Sequence, residues 1–320
     1  MQRREFITLL GATTLFAPAA WAQTPGRTYR IGIVARDRRP WAPLFDELRA
    51  NGFVEGKNLV IVGGLPIGAD DGAFAESAKE LVKAGVDAIL TAGVLRTRAA
   101  QHVTRSIPIL TISDDLVGDG FATSLAHPGG NITGITILSP ELDRKRQEIL
   151  LELVPSARHV AALADPDTTP PRQLQALEED ARSRNIEQSI HRAKTREEIV
   201  PAIEAASAAG AQAINVLSSL TFYLNRALII ENAAKAQLPA VFQFPDWPER
   251  GALVGYGPSQ DRYNRQLARQ LVKILNGTAP ADIPVEQPTS VELAINLKTA
   301  AALGLTVPPA LLIRADKVIE

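Results

Sequence analysis

The sequence predicts an α/β protein built from two consecutive open sheets of parallel strands. Three observations carry this expectation. Short apolar runs rich in β-branched residues alternate with amphipathic helical stretches. The runs show little polar alternation, as expected of strands covered on both faces. The composition, 46% hydrophobic but only 5% aromatic, suits a core of Leu, Ile, Val and Ala.

In the first half the strand-like runs are YRIGIV (29–34), LVIV (59–62), DAIL (87–90) and IPIL (107–110). Between them, WAPLFDELRANG places Leu44, Phe45 and Leu48 on one helical face. FAESAKELVKAG does the same with Phe74, Ala78, Leu81 and Val82. Gly52 and Gly85 stand where these helices should stop. The rhythm restarts with HVAALA (159–164), IEQSI (186–190), AINVL (213–217) and PAVFQF (239–244), each of the first three leading into a helical stretch. Strand–helix alternation implies right-handed βαβ units, grouped roughly as residues 28–133 and 134–256. Beyond GALVGYGP, the stretch SQDRYNRQLARQLVKILNG sets Tyr263, Leu267, Leu271, Ile274 and Leu275 on one side of a helix. A proline-punctuated segment and a mixed tail follow, so the chain must add elements back onto sheets already made.

The first residues read as an export signal. Arg3 and Arg4 precede the twelve-residue apolar stretch FITLLGATTLFA, and Ala20-Trp21-Ala22 fits a small-x-small cleavage site. RREFI also fits a twin-arginine signal. Spanning a bilayer takes roughly 20 apolar residues, so residues 1–22 are expected to be cleaved rather than to anchor the chain. Cleavage would leave 298 of 320 residues and change the formal charge from -1 to -2. That length favours two domains. With no cysteine there is no disulfide, thiolate nucleophile or lipidated cysteine. The expected product is a periplasmic protein, not a lipoprotein, and a monomer. Near-neutral charge gives no reason to expect a nucleic-acid partner.

The motifs of common catalysts are missing. There is no H-E-x-x-H, G-x-S-x-G or G-x-x-x-x-G-K-[ST], and no G-x-G-x-x-G after the first strand. The four histidines, His102, His127, His159 and His191, are scattered. In DDLVGDG a calcium loop fails at its third position, Val117. We therefore expect no catalytic residue, metal or cofactor. Polar residues do gather at strand ends: Arg36, Asp37, Arg38 and Arg39 after the first strand, then Thr91, Gly93, Val94 and Arg96 after the third. Asp114 and Asp115 follow the fourth, Asp165 follows HVAALA, Ser218, Ser219 and Thr221 follow AINVL, and Asp246 follows PAVFQF. Each alone reads as a helix cap. As a set they lie at the carboxyl edges of both sheets, where open α/β sheets bind ligands.

Longer segments carry a resemblance. NGFVEGKNLVIV, IPILTISDDLVGDGFATSLAHPGGNITGIT, LDRKRQEILLELVPSARHVAAL, LVGYGPSQDRYNRQLARQLVKILNGTAPADIPVEQP and INLKTAAALGLTVPPALLIRADKVI span nearly all of the chain after residue 22. Together they resemble the substrate-binding proteins of ABC transporters, in the family that includes tryptophan- and tyrosine-type binding proteins. The resemblance implies the type I periplasmic-binding fold: two doubly wound lobes joined by three crossovers. The lobes would be residues 28–133 plus about 257–283, and 134–256 plus about 284–320. It further implies a non-enzymatic receptor that closes on a small solute, an amino acid or related carboxylate, and presents it to the membrane subunits of a permease. A ligand-sensing module for a membrane receptor and an exported α/β enzyme remain the alternatives.

Matched position by position, Asp115 stands for the family's aspartate in D-P-V, with Leu116 in place of proline. Gly93 matches a glycine after the third strand, Asp165-Pro166 matches an Asn-Pro turn, and Tyr256 falls on a crossover. The family's small, serine-rich first loop is replaced here by Arg36, Asp37, Arg38 and Arg39, and Arg96 and Arg98 follow the third strand. Arg36 or Arg96 is expected to fork a ligand carboxylate, and Asp37, Asp115 or Asp246 to face an ammonium group.

Overall fold

The structure, a computed structural model, describes residues 26–35, 38–65 and 71–320. The export signal, Arg36 and Asp37 lie outside the described residues. The first sheet contains β1 (Tyr29–Ile33), β2 (Leu59–Val62), β3 (Ala88–Ala92), β4 (Ile109–Ser113) and β5 (Ile132–Thr136), in the order β2-β1-β3-β4-β5. All its pairings are parallel. Helices α1 (Ala42–Ala50), α2 (Asp71–Lys83) and α3 (Val94–Val103) make the connections. Leu44 and Leu48 are fully buried from α1, and Ala78 and Leu81 from α2, on the faces their spacing predicts.

The second lobe opens with α4 (Ser139–Leu153), then β6 (His159–Ala164), α5 (Pro171–Ser183), β7 (Glu187–Arg192) and α6 (Arg196–Ala208). It continues through β8 (Ala213–Val216), α7 (Leu220–Leu224), α8 (Arg226–Lys235), β9 (Ala240–Phe242) and β10 (Val254–Pro258). Helix α9 (Gln260–Leu275) crosses back and packs on α1 and the first sheet. Its predicted apolar side, Tyr263, Leu267, Leu271, Ile274 and Leu275, is buried. The chain then returns as β11 (Val291–Asn296), α10 (Leu297–Ala302), α11 (Pro309–Arg314) and β12 (Lys317–Ile319), completing a sheet ordered β12-β11-β10-β9-β8-β6-β7.

Three details differ from the expectation. The first crossing comes after β5, because β5 pairs along β4 through Ser113↔Thr136 and so belongs to the first sheet. The last comes after Glu286, whose backbone still bonds Gly134 and Thr136 of that sheet. The second sheet is also not wholly parallel, since β11 runs antiparallel to β10. The chain leaves this lobe at the carboxyl end of β10 and re-enters it at the same end, so its next strand must run the other way.

Close backbone approach fixes the β4–β5 seam. A Cβ on Gly134, whose φ is +149°, would lie 1.9 Å from the Thr111 carbonyl oxygen. No rotamer avoids that clash, because backbone must move. Gly134→Ala is expected to cost about 2–4 kcal/mol, read as a lowered urea midpoint with unchanged slope.

Candidate functional site

The carboxyl ends of both sheets face one another, and the segments leaving them wall a cavity of about 120 Å³. The first lobe contributes Ala35, Pro40, Trp41, Ala92, Gly93, Arg96, Ile112, Ser113 and Asp114. The second contributes Ser218, Ser219, Leu220, Tyr223, Leu224, Gln243 and Phe244, while Gln260, Tyr263 and Asn264 come from the first turns of α9 and Ile137 from the first crossing. A wider space of about 910 Å³ adjoins it, sharing Gly93, Arg96, Asp114 and Leu220 and adding Val94, Asp165, Asp167 and Thr168.

Asp114 is the polar centre of this wall. Its Oδ1 accepts hydrogen bonds from Ser139 Oγ and Ser218 Oγ, both at 2.5 Å and both from the opposite lobe. Burial raises its carboxyl above the usual range, against the serine hydrogen bonds and the Arg146 charge. Across the cleft, Asp165 accepts from Ser219 Oγ at 2.6 Å and from the Asp167 amide at 3.0 Å. Burial raises Asp165 as well. Ser219 also caps α7, its Oγ accepting from the Thr221 amide at 3.0 Å.

Gly93 turns β3 into α3 with φ +81°. A buried hydroxyl ladder holds that corner: Thr97 Oγ1 lies 2.9 Å from Thr91 Oγ1 and 2.7 Å from Thr111 Oγ1. One turn on, Arg96 is 5% exposed with its guanidinium 5.0 Å from the Phe74 ring centre. It is the one arginine among the described residues that lines the inner cavity. Arg38 pairs with Glu55 at 3.0 Å, and Arg98 packs over Phe121 and donates to the Asp119 carbonyl.

Of the residues singled out from sequence, Gly93, Arg96, Asp114, Ser218 and Ser219 reach the inner cavity, and Val94 and Asp165 reach the wider one. Asp115, Asp246 and Tyr256 do not. Asp115 turns away to clasp Arg172 of α5 at 2.9 Å, an ion pair between lobes that Arg172 extends to the Gly118 carbonyl. Asp246 lies 3.8 Å from Arg250 at the start of a short 3-10 turn. Tyr256 packs into the second-lobe core, and its carbonyl accepts from Arg146 Nε at 2.8 Å. Sequence reasoning missed the aromatic wall, Trp41, Tyr223, Phe244 and Tyr263, and the amides Gln243, Gln260 and Asn264. Tyr263 was legible only as part of the apolar side of α9. Among the described residues no cluster of histidine and acidic side chains is placed to hold a metal ion.

A family model described as ABC transporter substrate binding protein matches residues 42–319. A tyrosine-binding protein of Clostridioides difficile (strain R20291) is 25% identical over 232 residues, covering 71% of this chain. The match spans 66% of that relative, just under two thirds of its length. Among solved structures, a conserved domain protein from Vibrio cholerae O1 biovar El Tor strain N16961 superposes with a TM-score of 0.84 at 24% identity, over 91% of this chain and 100% of that one. An ABC domain in complex with L-Trp from Streptococcus pneumonia gives 0.82 at 21% identity, with the same coverage. These two likenesses establish the type I periplasmic-binding fold.

The acids at the inter-lobe edge have a pH consequence. Burial raises the Asp119 carboxyl to about 6, helped by the Asp114 and Asp115 charges and opposed by Ser113, whose Oγ donates to it at 3.0 Å. The folded state therefore binds this proton more tightly than the unfolded chain. Its contribution to stability grows as pH falls through about 6 and is complete below the ordinary value of 3.8. Asp119→Asn should gain less stability than the wild type between pH 7 and pH 5, measured by urea unfolding. Parallel pH profiles would contradict this assignment.

Proposed function

The chain belongs to the family of ABC transporter substrate binding proteins, and from that premise we propose that it is the extracytoplasmic receptor of an importer. It captures a small solute between its lobes and delivers it to the permease membrane subunits, working as a monomer in the periplasm and performing no chemistry on its cargo. The observation that carries this reading is the walled cavity itself, to which both lobes contribute and whose lining holds one acid and one arginine.

That pairing favours an amino acid or a related carboxylate. Both serine hydrogen bonds fall on Asp114 Oδ1, which leaves Oδ2 to meet a ligand ammonium. The Arg96 guanidinium supplies the fork for a carboxylate. The tyrosine-binding relative and the L-Trp complex support the same ligand class. An ammonium beside Asp114 favours its charged form against the effect of burial, so this carboxyl should titrate lower in the complex than in the free protein.

A thermal-shift screen of amino acids, small carboxylates and aromatic acids tests the receptor reading. A solute at 100 times its dissociation constant stabilises the fold by about 2.7 kcal/mol. Arg96→Ala and Asp114→Asn should each weaken binding of the solute found by tenfold or more, about 1.4 kcal/mol. Arg36→Ala, in the first-strand loop, provides the comparison for the other candidate carboxylate ligand. A flat response across the library would count against the receptor reading. Tight binding unchanged in the Asp114 and Arg96 variants would sink the residue assignments alone.

A further inference from the structure

We propose that Gln243 and Asn264 select a solute whose apolar body carries its own hydrogen-bond donor, a hydroxyl or an N–H. The inference rests on the receptor reading above and narrows its ligand class.

Both amides line the inner cavity, and each residue is only 2% exposed. Gln243 leaves the second lobe at the end of β9, whereas Asn264 sits on α9 against the first. Neither Gln243 Oε1 nor Asn264 Oδ1 has a hydrogen-bond partner among the described residues. The Asn264 amide cannot turn over to change this. Its Nδ2 donates to the Pro40 carbonyl at 3.2 Å and the Gln260 carbonyl at 2.9 Å, and rotation would set an oxygen against both. Other amide and hydroxyl groups on the wall are engaged. Gln260 Oε1 accepts from the Tyr223 hydroxyl at 3.0 Å, and Ser218 and Ser219 are taken by the two aspartates.

An amide oxygen buried without a partner is destabilising, and a donor brought by the ligand removes that penalty. A ligand without the donor leaves both oxygens unpaired, as they are in the ligand-free protein, and gains nothing from them. Sites of this kind discriminate steeply, because the analogue lacking the group leaves buried protein atoms unpaired. The apolar part of the lining, Trp41, Ile112, Ile137 and Phe244, offers contact to an apolar body but no polar recognition.

The test uses matched probes on the purified protein, by titration calorimetry: tyrosine against phenylalanine, and tryptophan against 1-methyltryptophan. In at least one pair the donor-bearing member should bind about tenfold or more tightly. Gln243→Met, which keeps length and volume but removes the amide, should shrink that ratio to about threefold or less. Its ligand-free melting temperature should hold or rise, where a purely structural glutamine would lower it; Gln243→Leu serves as a second variant. Equal binding within both pairs, or a ratio that survives Gln243→Met, overturns the inference and leaves the receptor reading intact. So does a screen whose true solute has no donor on its apolar body. A protein that binds nothing in the screen overturns both.

Discussion

The lobes of this protein meet around one carboxylate. Asp114 leaves the first sheet at β4 and lodges its Oδ1 against Ser139 and Ser218, which belong to the second. Hydrogen bonds to a charged acceptor are worth about 1.5–3 kcal/mol each, yet burial raises the same carboxyl and so works against its charge. These terms oppose one another, with burial the largest of them, so the contact that joins the lobes comes at a cost to the carboxylate's charge. The exposed Asp115–Arg172 clasp adds little, since both side chains are about one-third exposed or more and such pairs contribute about 0–1 kcal/mol. A solute that interacts only when both lobes are present then has leverage on their arrangement, because an equilibrium shifts by differential affinity alone.

The placement of Ser139 is itself over-determined. It opens α4, and one turn later the same helix carries Asp143 and Arg146, a fully buried ion pair at 2.6 Å. Arg146 also donates to the Tyr256 carbonyl of β10. Asp143 accepts from Gln173 of α5, and its carbonyl accepts from Asn215 of β8. Desolvation opposes charge on both partners, so the pair is poor evidence of stabilisation. What it does provide is register: α4 cannot slide along the sheet without stranding a buried charge. The serine hydroxyl that meets Asp114 is located by this anchor.

Much of the fold was legible because it rests on local periodicity. The runs 29–34, 159–164 and 213–217 became strands, and the stripe from Tyr263 to Leu275 became the buried face of α9. The direction of β11 was not legible, since it depends on the edge at which the chain re-enters the sheet. In the site, strand-end position located Gly93, Arg96, Asp114, Asp165, Ser218 and Ser219. It could not separate Asp114 from Asp115, since consecutive residues leaving a strand point to opposite sides and only the three-dimensional neighbours decide which side is the cleft. The aromatic wall was hidden for another reason. Phe244 and Tyr263 follow the apolar spacing of their elements, so local pattern gives them to a core that here continues into the cavity lining.

That continuity explains how the site can be both packed and open to specificity. A single apolar cluster runs from Trp41 and Leu44 in the first lobe through Ile137 to Phe222, Phe244 and Trp247 in the second. Around the cavity, Tyr223 stands edge-on to Phe244 at 5.6 Å, and Trp247 lies 5.8 Å behind it. Such a wall supplies contact area without direction. Direction has to come from the few polar atoms that the protein leaves unsatisfied for itself. Where a hydroxyl or carboxylate is already bonded across the cleft, it reports on lobe position. Where an amide oxygen is buried and unbonded, it is free to report on the solute. On the reading proposed above, Asp114 Oδ1 and its serines join the lobes, while Asp114 Oδ2, Arg96 and the amides on the aromatic wall meet what lies between them.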